Sequence, residues 1–176
     1  LFQTSTDSEI FLHLIARSRE KEMIDKILDA ARQVRGAYSI VLLTDDKLFA
    51  IRDPYAVRPL SMGKLGSSFV FASETCAYDI INAEYIRDLK AGEIIQIDEE
   101  VKRTGKVKSF FIDTRPETKH CIFEYIYFSR PDSTIFGNTV DKIRRKLGKN
   151  LSIEKPAPRA NIEDKKVVVI SVPDSS

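Results

Sequence analysis

The chain has 176 residues, of which 43% are hydrophobic and 31% are charged, a balance that fits a folded globular protein and excludes the disordered and collagen-like classes. Lys and Arg total 28 against 26 for Asp and Glu, and the resulting net charge of +2 gives no electrostatic reason to expect a nucleic acid or an anionic lipid as partner. The sequence therefore predicts contacts with small molecules or proteins, with no nucleic-acid role and no membrane role.

Cysteine usage and the lack of long apolar stretches predict where the protein works. Cys76 and Cys121 are the only two cysteines, they lie far apart, and neither is part of a CxxC pair, which is typical of a reducing compartment. No apolar stretch approaches the roughly 20 residues that cross a bilayer, and the first residues do not resemble a signal peptide. We expect a cytoplasmic protein.

The N-terminal part is predicted to be helical. Thr6 and Glu9 have the spacing of a capping box, in which a hydroxyl and a carboxylate satisfy free amides at a helix start, so a helix should run to Ala16. A second helix is expected over 20–35, because its apolar residues recur at helical spacing, with Gly36 as its stop. Since no initiator Met precedes these helices, we expect the sequence to begin within a domain.

The pattern then changes to short β-strands separated by turn residues. Two of them, 37–43 and 47–52, flank a polar turn and predict a hairpin. Their close spacing predicts an antiparallel sheet crossed by one short helix at 76–82. Further strands are expected at 69–73, 85–88 and 94–98.

The last third predicts a second architecture. Residues 102–119 are polar and interrupted by Gly and Pro, which is typical of a link between domains. A helix is expected at 140–151, followed by an unbroken Val/Ile run at 165–172 of the kind that forms a parallel strand buried on both faces. Such a strand needs neighbours, so we expect Ser176 to lie just inside a second domain.

Four strings in the first part carry a family resemblance. They are Thr-Ser-Thr-Asp-Ser-Glu at 4–9, Arg-Gly-Ala-Tyr-Ser at 35–39, Arg-Asp-Pro-Tyr-Ala-Val-Arg-Pro-Leu at 52–60 and Ala-Ser-Glu-Thr-Cys-Ala at 72–77. Together they resemble the later half of a class II glutamine amidotransferase domain. The resemblance implies an α+β fold, with residues 1–119 forming part of an N-terminal-nucleophile αββα four-layer sandwich. It also implies a nucleophilic cysteine upstream, so that no catalytic residue lies in this chain.

A further string narrows the family. Residues 121–133 read Cys-Ile-Phe-Glu-Tyr-Ile-Tyr-Phe-Ser-Arg-Pro-Asp-Ser and resemble the domain junction of the amidophosphoribosyltransferases. The ending Val-Pro-Asp-Ser-Ser at 172–176 is similar to the first strand and loop of that family's phosphoribosyltransferase domain. Residues 120–176 are therefore predicted to be the junction and the start of an α/β phosphoribosyltransferase domain.

The resemblance implies the first step of de novo purine synthesis. Glutamine would give its amide nitrogen to phosphoribosylpyrophosphate, yielding 5-phosphoribosylamine, glutamate and pyrophosphate in a homo-oligomeric enzyme. A Mg²⁺ site is expected downstream of the chain end, and the chain alone is expected to be inactive. Two alternatives stay open at this point: another class II amidotransferase of the glucosamine-phosphate synthase type, which gives no reason for the junction string, and a non-catalytic scaffold of the same fold.

The same resemblance assigns candidate site residues, each with a structural alternative. Asp7 would bind the α-ammonium group of glutamine, or it could simply cap a helix. Phe123 and Tyr127 would line a route for ammonia at the junction, or they could be ordinary interdomain packing. Cys121 is a candidate ligand of a [4Fe-4S] cluster, although a cluster of this kind takes four thiolates.

The arginines near two Asp-Pro or Pro-Asp turns are predicted to be structural. Arg52, Arg58 and Arg130 could each brace a turn by bidentate pairing with a nearby carboxylate. Ala56 stands where the family usually has Gly, so a positive φ at this position would be strained.

Overall fold

A computed structural model describes residues 2–112 and 117–156, together with Val168 and Ile170. It divides into two compact units, of which the first ends at Cys121 and the second begins at Ile122. The first unit contains α1 (Glu9–Arg17), α2 (Met23–Gln33), β1 (Ser39–Leu43), β2 (Leu48–Arg52), β3 (Ser61–Leu65), β4 (Ser68–Ala72), α3 (Cys76–Ile81), β5 (Glu84–Asp88), β6 (Glu93–Ile97), α4 (Glu99–Thr104) and β7 (Lys108–Phe111). The second unit contains a π-helix (Glu124–Phe128), β8 (Thr134–Ile135), β9 (Asn138–Thr139) and α5 (Val140–Glu154).

The strands of the first unit are antiparallel, as their spacing predicts, but they form two sheets where that spacing predicted one. One sheet has the order β1-β2-β6-β7 and the other the order β4-β3-β5. The hairpin of β1 and β2 is confirmed, with Ser39 opposite Arg52 and Leu43 opposite Leu48. Alternation along β2 then decides what each face of the first sheet covers, because successive side chains point to opposite sides.

On one face of the first sheet, Phe49 and Ile51 pack with Ile94 against the helices α1 and α2, which contribute Phe11 and Ile27 to the same cluster. On the other face, Ala50 and Ile95 pack against residues of the second sheet such as Leu60 and Met62. Both clusters are buried and apolar, so the first sheet is a middle layer between helices and the second sheet.

The outer face of the second sheet is covered by α3. Ser61 and Gly63 alternate with the inward Met62, and Tyr78 of α3 lies on their side of the sheet. The Tyr78 hydroxyl is 2.8 Å from the Ser61 hydroxyl and accepts the Ala72 amide at 3.1 Å. Gly63 leaves the space for the ring, since a Cβ atom there would stand 2.7 Å from it.

A buried carboxylate joins the two sheets. Glu93 of β6, 1% exposed, accepts hydrogen bonds from both terminal nitrogens of Arg87 of β5 at 2.8 and 2.7 Å. The same carboxylate accepts the Lys90 amide and the Ser109 hydroxyl of β7, each at 2.7 Å. Burial by itself would raise the pKa of Glu93, but the bonds from Arg87, Lys90 and Ser109 outweigh it, and the pKa is lowered.

The second unit has its own small core of Tyr125, Ile135 and Val140. The Tyr125 hydroxyl donates to the Ile135 carbonyl at 2.7 Å. Arg144 of α5 holds the π-helix by donating to the carbonyl oxygens of Tyr125 at 2.6 Å and Ser129 at 2.8 Å. Arg144, which lies in the basic run of α5, is therefore a structural tether of the π-helix.

Several sequence expectations need correction. The capping box is wrong: α1 begins at Glu9 after Ser8, the N-cap makes no side-chain bond, and Glu9 reaches back to Gln3 and Thr4 instead of Thr6. The link predicted at 102–119 contains the end of α4 and all of β7, because pairing with β6 outweighs its polar composition.

Other element expectations have mixed outcomes. The second helix is shorter than 20–35 and ends at Gln33, three residues before Gly36. The helix expected at 140–151 is confirmed as α5. The strand expected at 165–172 lies outside the described residues apart from Val168 and Ile170. Within the described ranges, no helix has the length and apolarity that crossing a bilayer requires.

Candidate functional site

A cleft of about 370 Å³ brings two of the sequence strings together. One wall is the start of α1 with Asp7 and Ser8, and the other is the segment from Val34 to Ile40 that connects α2 to β1. The floor is formed by buried aromatic residues. Tyr38 donates its hydroxyl to the Ala31 carbonyl at 3.3 Å. Burial, followed by the nearby Asp53 charge, raises the pKa of Tyr38, so the phenol stays neutral.

Asp7 lies at the exposed rim of this cleft. Its backbone carbonyl accepts the Ile10 amide at 3.2 Å, but no side chain or amide among the described residues pairs with its carboxylate. The helix-cap interpretation of Asp7 is therefore wrong, because the N-cap is Ser8 and no side chain caps α1. The carboxylate is left to meet a ligand or solvent.

Glu9 organises the chain that leads to Asp7, and the sequence alone did not reveal this. Its carboxylate accepts the Gln3 amide at 2.7 Å, the Thr4 amide at 2.8 Å and the Thr4 hydroxyl at 2.6 Å. His13, one helical turn later, lies 3.2 Å from the same carboxylate. A helical His at i+4 from a Glu is a usable signal of such a pair, but backbone acceptance at residues 3 and 4 leaves no pattern in the sequence.

The turn that follows β2 is stabilised by hydrogen bonds between its backbone and the side chains of Arg52 and Asp53. Arg52, buried, donates to the carbonyl oxygens of Arg58 at 3.0 Å, Ala56 at 3.2 Å and Leu89. Asp53 accepts the amides of residues 55 and 57 at 2.9 and 3.1 Å. The structural role predicted for Arg52 is confirmed, although these bracing bonds go to carbonyl oxygens.

Ala56 occupies this turn with a φ of +50°, in the left-handed region that favours glycine. The strain expected from the Gly-to-Ala difference is therefore present. The side chain is 1% exposed, so the methyl group is packed in the turn. The surrounding bonds to Asp53 and Arg52 hold the residue in this conformation.

The junction string begins against this turn. The Lys119 amide donates to the Tyr55 carbonyl at 2.7 Å, and the Cys121 amide donates to the Val57 carbonyl at 3.0 Å. The Lys119 ammonium lies 4.6 Å from the centre of the Tyr55 ring. The polar segment before the junction is therefore fastened to the first unit up to Cys121.

In the second unit, the aromatic residues of the junction are exposed. Phe123 precedes the π-helix and is 54% exposed, and Tyr127 within it is 62% exposed. Their rings contact Phe128, with centroids 6.5 and 5.6 Å away. The bidentate brace predicted for Arg130 is confirmed, with bonds to Asp132 at 3.1 and 2.8 Å.

Metal-binding potential is limited in the part of the chain that the structure describes. No group of three or more His, Cys, Asp or Glu side chains there could hold an ion. Cys76 is buried and lies 3.8 Å from the Glu74 carboxylate, whereas Cys121 is half-buried, and the two are not joined by a disulfide. Two thiols in the whole sequence cannot complete a cubane cluster, so Cys121 can supply at most one ligand.

Residues 1–79 match the family model described as a glutamine amidotransferase domain. Residues 1–79 are thus a glutamine amidotransferase domain region, and the first unit that contains them has mixed α and β structure.

Whole-chain similarity identifies the family. The chloroplastic amidophosphoribosyltransferase of Glycine max is 44% identical over 99% of this chain and 29% of its own length. The amidophosphoribosyltransferase of Bacillus subtilis is 40% identical over 100% of this chain and 34% of its own length. The solved glutamine phosphoribosylpyrophosphate amidotransferase from B. subtilis, complexed with ADP and GMP, matches with a TM-score of 0.83 and 39% identity, covering 90% of this chain and 34% of that one.

The family resemblance read from residues 121–133 is confirmed, and this chain is part of an amidophosphoribosyltransferase. It spans about a third of the length of these relatives.

Proposed function

We propose that the protein containing this chain transfers the amide nitrogen of glutamine to phosphoribosylpyrophosphate, giving 5-phosphoribosylamine, glutamate and pyrophosphate. The similarity that supports this proposal extends through both units, at 40–45% identity to proteins named for this activity. It runs past the end of the glutamine amidotransferase match at residue 79, which disfavours the glucosamine-phosphate synthase type. A scaffold without activity has no specific observation in its favour.

We propose that the first unit is part of an αββα four-layer sandwich. Support comes from the order of its layers: α1 and α2, the first sheet, the second sheet and α3. We also propose that residues 120–176 form the junction and the start of a phosphoribosyltransferase domain. The two units differ in secondary structure, which supports two different domains: β-strands dominate the first unit and α-helix dominates the second.

Asp7 is our candidate for binding the α-ammonium group of glutamine. The observation that carries this proposal is an exposed carboxylate, without a partner among the described residues, at the rim of a cleft formed by two amidotransferase strings. A charge-assisted bond to an ammonium group would select an amino acid over a simple amide. Attack on the amide would be made by the cysteine that the resemblance puts outside this chain, with its own α-amino group as base.

The test is Asp7→Asn in the complete enzyme. Loss of the charge should raise the glutamine KM by at least about tenfold, because a hydrogen bond to a charged group contributes roughly 1.5–3 kcal/mol. Synthesis from added ammonia should continue at the wild-type rate, since it bypasses glutamine binding. Equal loss of both activities would contradict the binding role and show instead a role in folding.

Phe123 and Tyr127 are proposed to line a path for ammonia toward the second active site. Exposed aromatic rings at the junction support this, because an apolar wall excludes the water that would protonate ammonia near neutral pH. Interdomain packing by the same rings is compatible with this role.

The remaining assignments are also proposals. Mg²⁺ would be bound with phosphoribosylpyrophosphate by residues beyond this chain, and Cys121 is a candidate for one ligand of a [4Fe-4S] cluster. The complete protein is proposed to be a homo-oligomer. Cytoplasmic location stays a prediction, since several plant relatives of the chain are named as chloroplastic.

A further inference from the structure

The Glu9 carboxylate bonds back to residues 3 and 4, so that the backbone between them forms a closed loop that contains Asp7. Gln3 and Thr4 donate their amides to this carboxylate, and the Thr4 hydroxyl, which also donates to it, accepts the Thr6 amide at 3.2 Å. On the other side of Asp7, turn bonds lead directly into α1. Among the hydrogen bonds of the described residues, those to the Glu9 carboxylate fix residues 3 and 4 to the helix, and the Glu9 amide also donates to the Thr6 carbonyl at 3.2 Å.

Within the part of the chain that the structure describes, no hydrogen bond to the Asp7 side chain fixes its position. Its carboxylate direction therefore depends on the path of the backbone on either side, and the upstream side depends on Glu9. Glu9 itself lies on a neighbouring groove between α1 and β1, and it is not one of the residues that line the Asp7 cleft. An effect of Glu9 on a ligand in that cleft would thus be indirect.

We propose that Glu9 is a positioning residue for substrate glutamine, which holds the loop of residues 3–8 so that the Asp7 carboxylate stays at the rim of the cleft. This inference rests on the proposed binding role of Asp7. It assigns to the last residue of the Thr-Ser-Thr-Asp-Ser-Glu string a task other than helix capping.

The Glu9 carboxylate stays ionised, so it can accept these hydrogen bonds at all physiological pH values. Its bond from the Thr4 hydroxyl, then that from the Gln3 amide, lower the pKa of Glu9 to about 2, so the carboxylate is ionised at any physiological pH. His13 adds a donor from the next turn of α1. Since the backbone and side-chain donors to Glu9 lie close to the surface, water can replace the carboxylate, and losing it should loosen the loop without unfolding the core.

The test compares Glu9→Gln with Asp7→Asn and with Glu99→Gln in the complete enzyme. Glu99 is a matched control, because it is also the first residue of a helix, α4, but among the described residues its carboxylate bonds the exposed Lys102 alone. For Glu9→Gln we expect the glutamine KM to rise roughly fivefold to tenfold, a change of about 1–1.4 kcal/mol, with ammonia-dependent synthesis and melting temperature close to wild type. Glu99→Gln should leave all three unchanged.

Amide hydrogen exchange supplies a readout that needs no activity. In Glu9→Gln the amides of residues 3, 4 and 6 should exchange faster, while those of the buried strand β6 should not. Thr4→Val, which removes the hydroxyl but keeps the side-chain shape, should shift KM and exchange in the same direction and serves where Glu9→Gln folds poorly.

The outcomes separate the two proposals. If Asp7→Asn leaves KM unchanged, the binding role of Asp7 fails and the positioning role fails with it. If Asp7→Asn raises KM while Glu9→Gln and Thr4→Val do not, only the positioning role of Glu9 is overturned. A fall in ammonia-dependent synthesis and in melting temperature that parallels the rise in KM would show Glu9 to be merely structural.

Discussion

Replacing Arg87 by Met should reveal how strongly the buried Glu93 carboxylate joins the two sheets. The substitution keeps most of the apolar stem but removes two hydrogen bonds and the opposing charge. Breaking a buried ion pair from one side costs about 3–5 kcal/mol, because it leaves an uncompensated charge. The Arg87 side chain is 35% exposed, so solvent screening reduces this to about 2–3 kcal/mol.

The stability cost of Arg87→Met should depend on pH, and the pKa of Glu93 determines the direction of this dependence. In the wild type the pKa of Glu93 is lowered, so its contribution is complete above the unfolded pKa of about 4.3 and is lost as the pH falls through the folded value. Without Arg87, burial dominates and raises the folded pKa. The cost of Arg87→Met should therefore be largest near neutral pH and shrink on acidification, because the proton removes the uncompensated charge.

Urea unfolding followed by far-UV circular dichroism, at several pH values between 4 and 7, measures both effects. Adding Glu93→Gln to Arg87→Met should recover about 1 kcal/mol at neutral pH, since no charge is then left buried. Lys102→Met is the control: it breaks the exposed pair with Glu99, which is worth less than about 0.5 kcal/mol. A cost of Arg87→Met that is no larger than this control, or one that grows on acidification, would refute the reasoning.

Three other substitutions test the turn, the sheet and the junction. Ala56→Gly should change the free energy of unfolding by less than about 0.5 kcal/mol, because relief of the positive φ offsets the loss of the buried methyl group. The control Ala50→Gly, in strand β2, should lower it by about 1.5 kcal/mol. Equal costs in urea unfolding would contradict strain at Ala56. Gly63→Ala should cost about 1–3 kcal/mol by the same measurement, because the new Cβ would stand 2.7 Å from the buried Tyr78 ring, and a neutral result would show that the ring can move. In the complete enzyme, Tyr127→Ala should lower the ratio of phosphoribosylamine formed to glutamine consumed while both half-reactions survive; an unchanged ratio would end the assignment to an ammonia path. Because the Tyr127 side chain is exposed within its unit, Tyr127→Ala should lower the melting temperature less than the buried control Tyr125→Ala does.

The elements that sequence reasoning found are those with a strong local pattern. The hairpin of β1 and β2 has alternating apolar residues around a polar turn, and α5 has a long helical period. Two strands of the first unit that it missed, β3 and β7, have weak patterns: β3 contains a glycine and a lysine, and β7 begins within a charged segment. Both are held by pairing with neighbouring strands, a tertiary effect that a local window does not contain.

Site residues divide in the same way. Asp7 could be proposed because its string is distinctive, and the bidentate pair of Arg130 and Asp132 is local in sequence. Glu9 was recognised only as half of a capping box, because the same spacing serves a different acceptor geometry in the fold. The partners of Arg52 and Arg144 are backbone carbonyls, and such bonds depend on chain path and leave no residue-type signal.

The turn after β2 connects the string at 52–60 with the start of the string at 121–133. Asp53 and Arg52 fix the turn from within, and its outer carbonyls, at Tyr55 and Val57, accept the amides of Lys119 and Cys121. The turn therefore positions the segment that leads to the junction. The strained Ala56 lies between Tyr55 and Val57, whose carbonyl oxygens accept the hydrogen bonds from that segment. A change in the backbone of this turn would shift the start of the junction string directly, whereas a change in the surface loops at Thr44 or Gly66 would not. Residues 52–60 thus hold the chain that leads to Cys121, even though none of them is assigned a role in substrate binding.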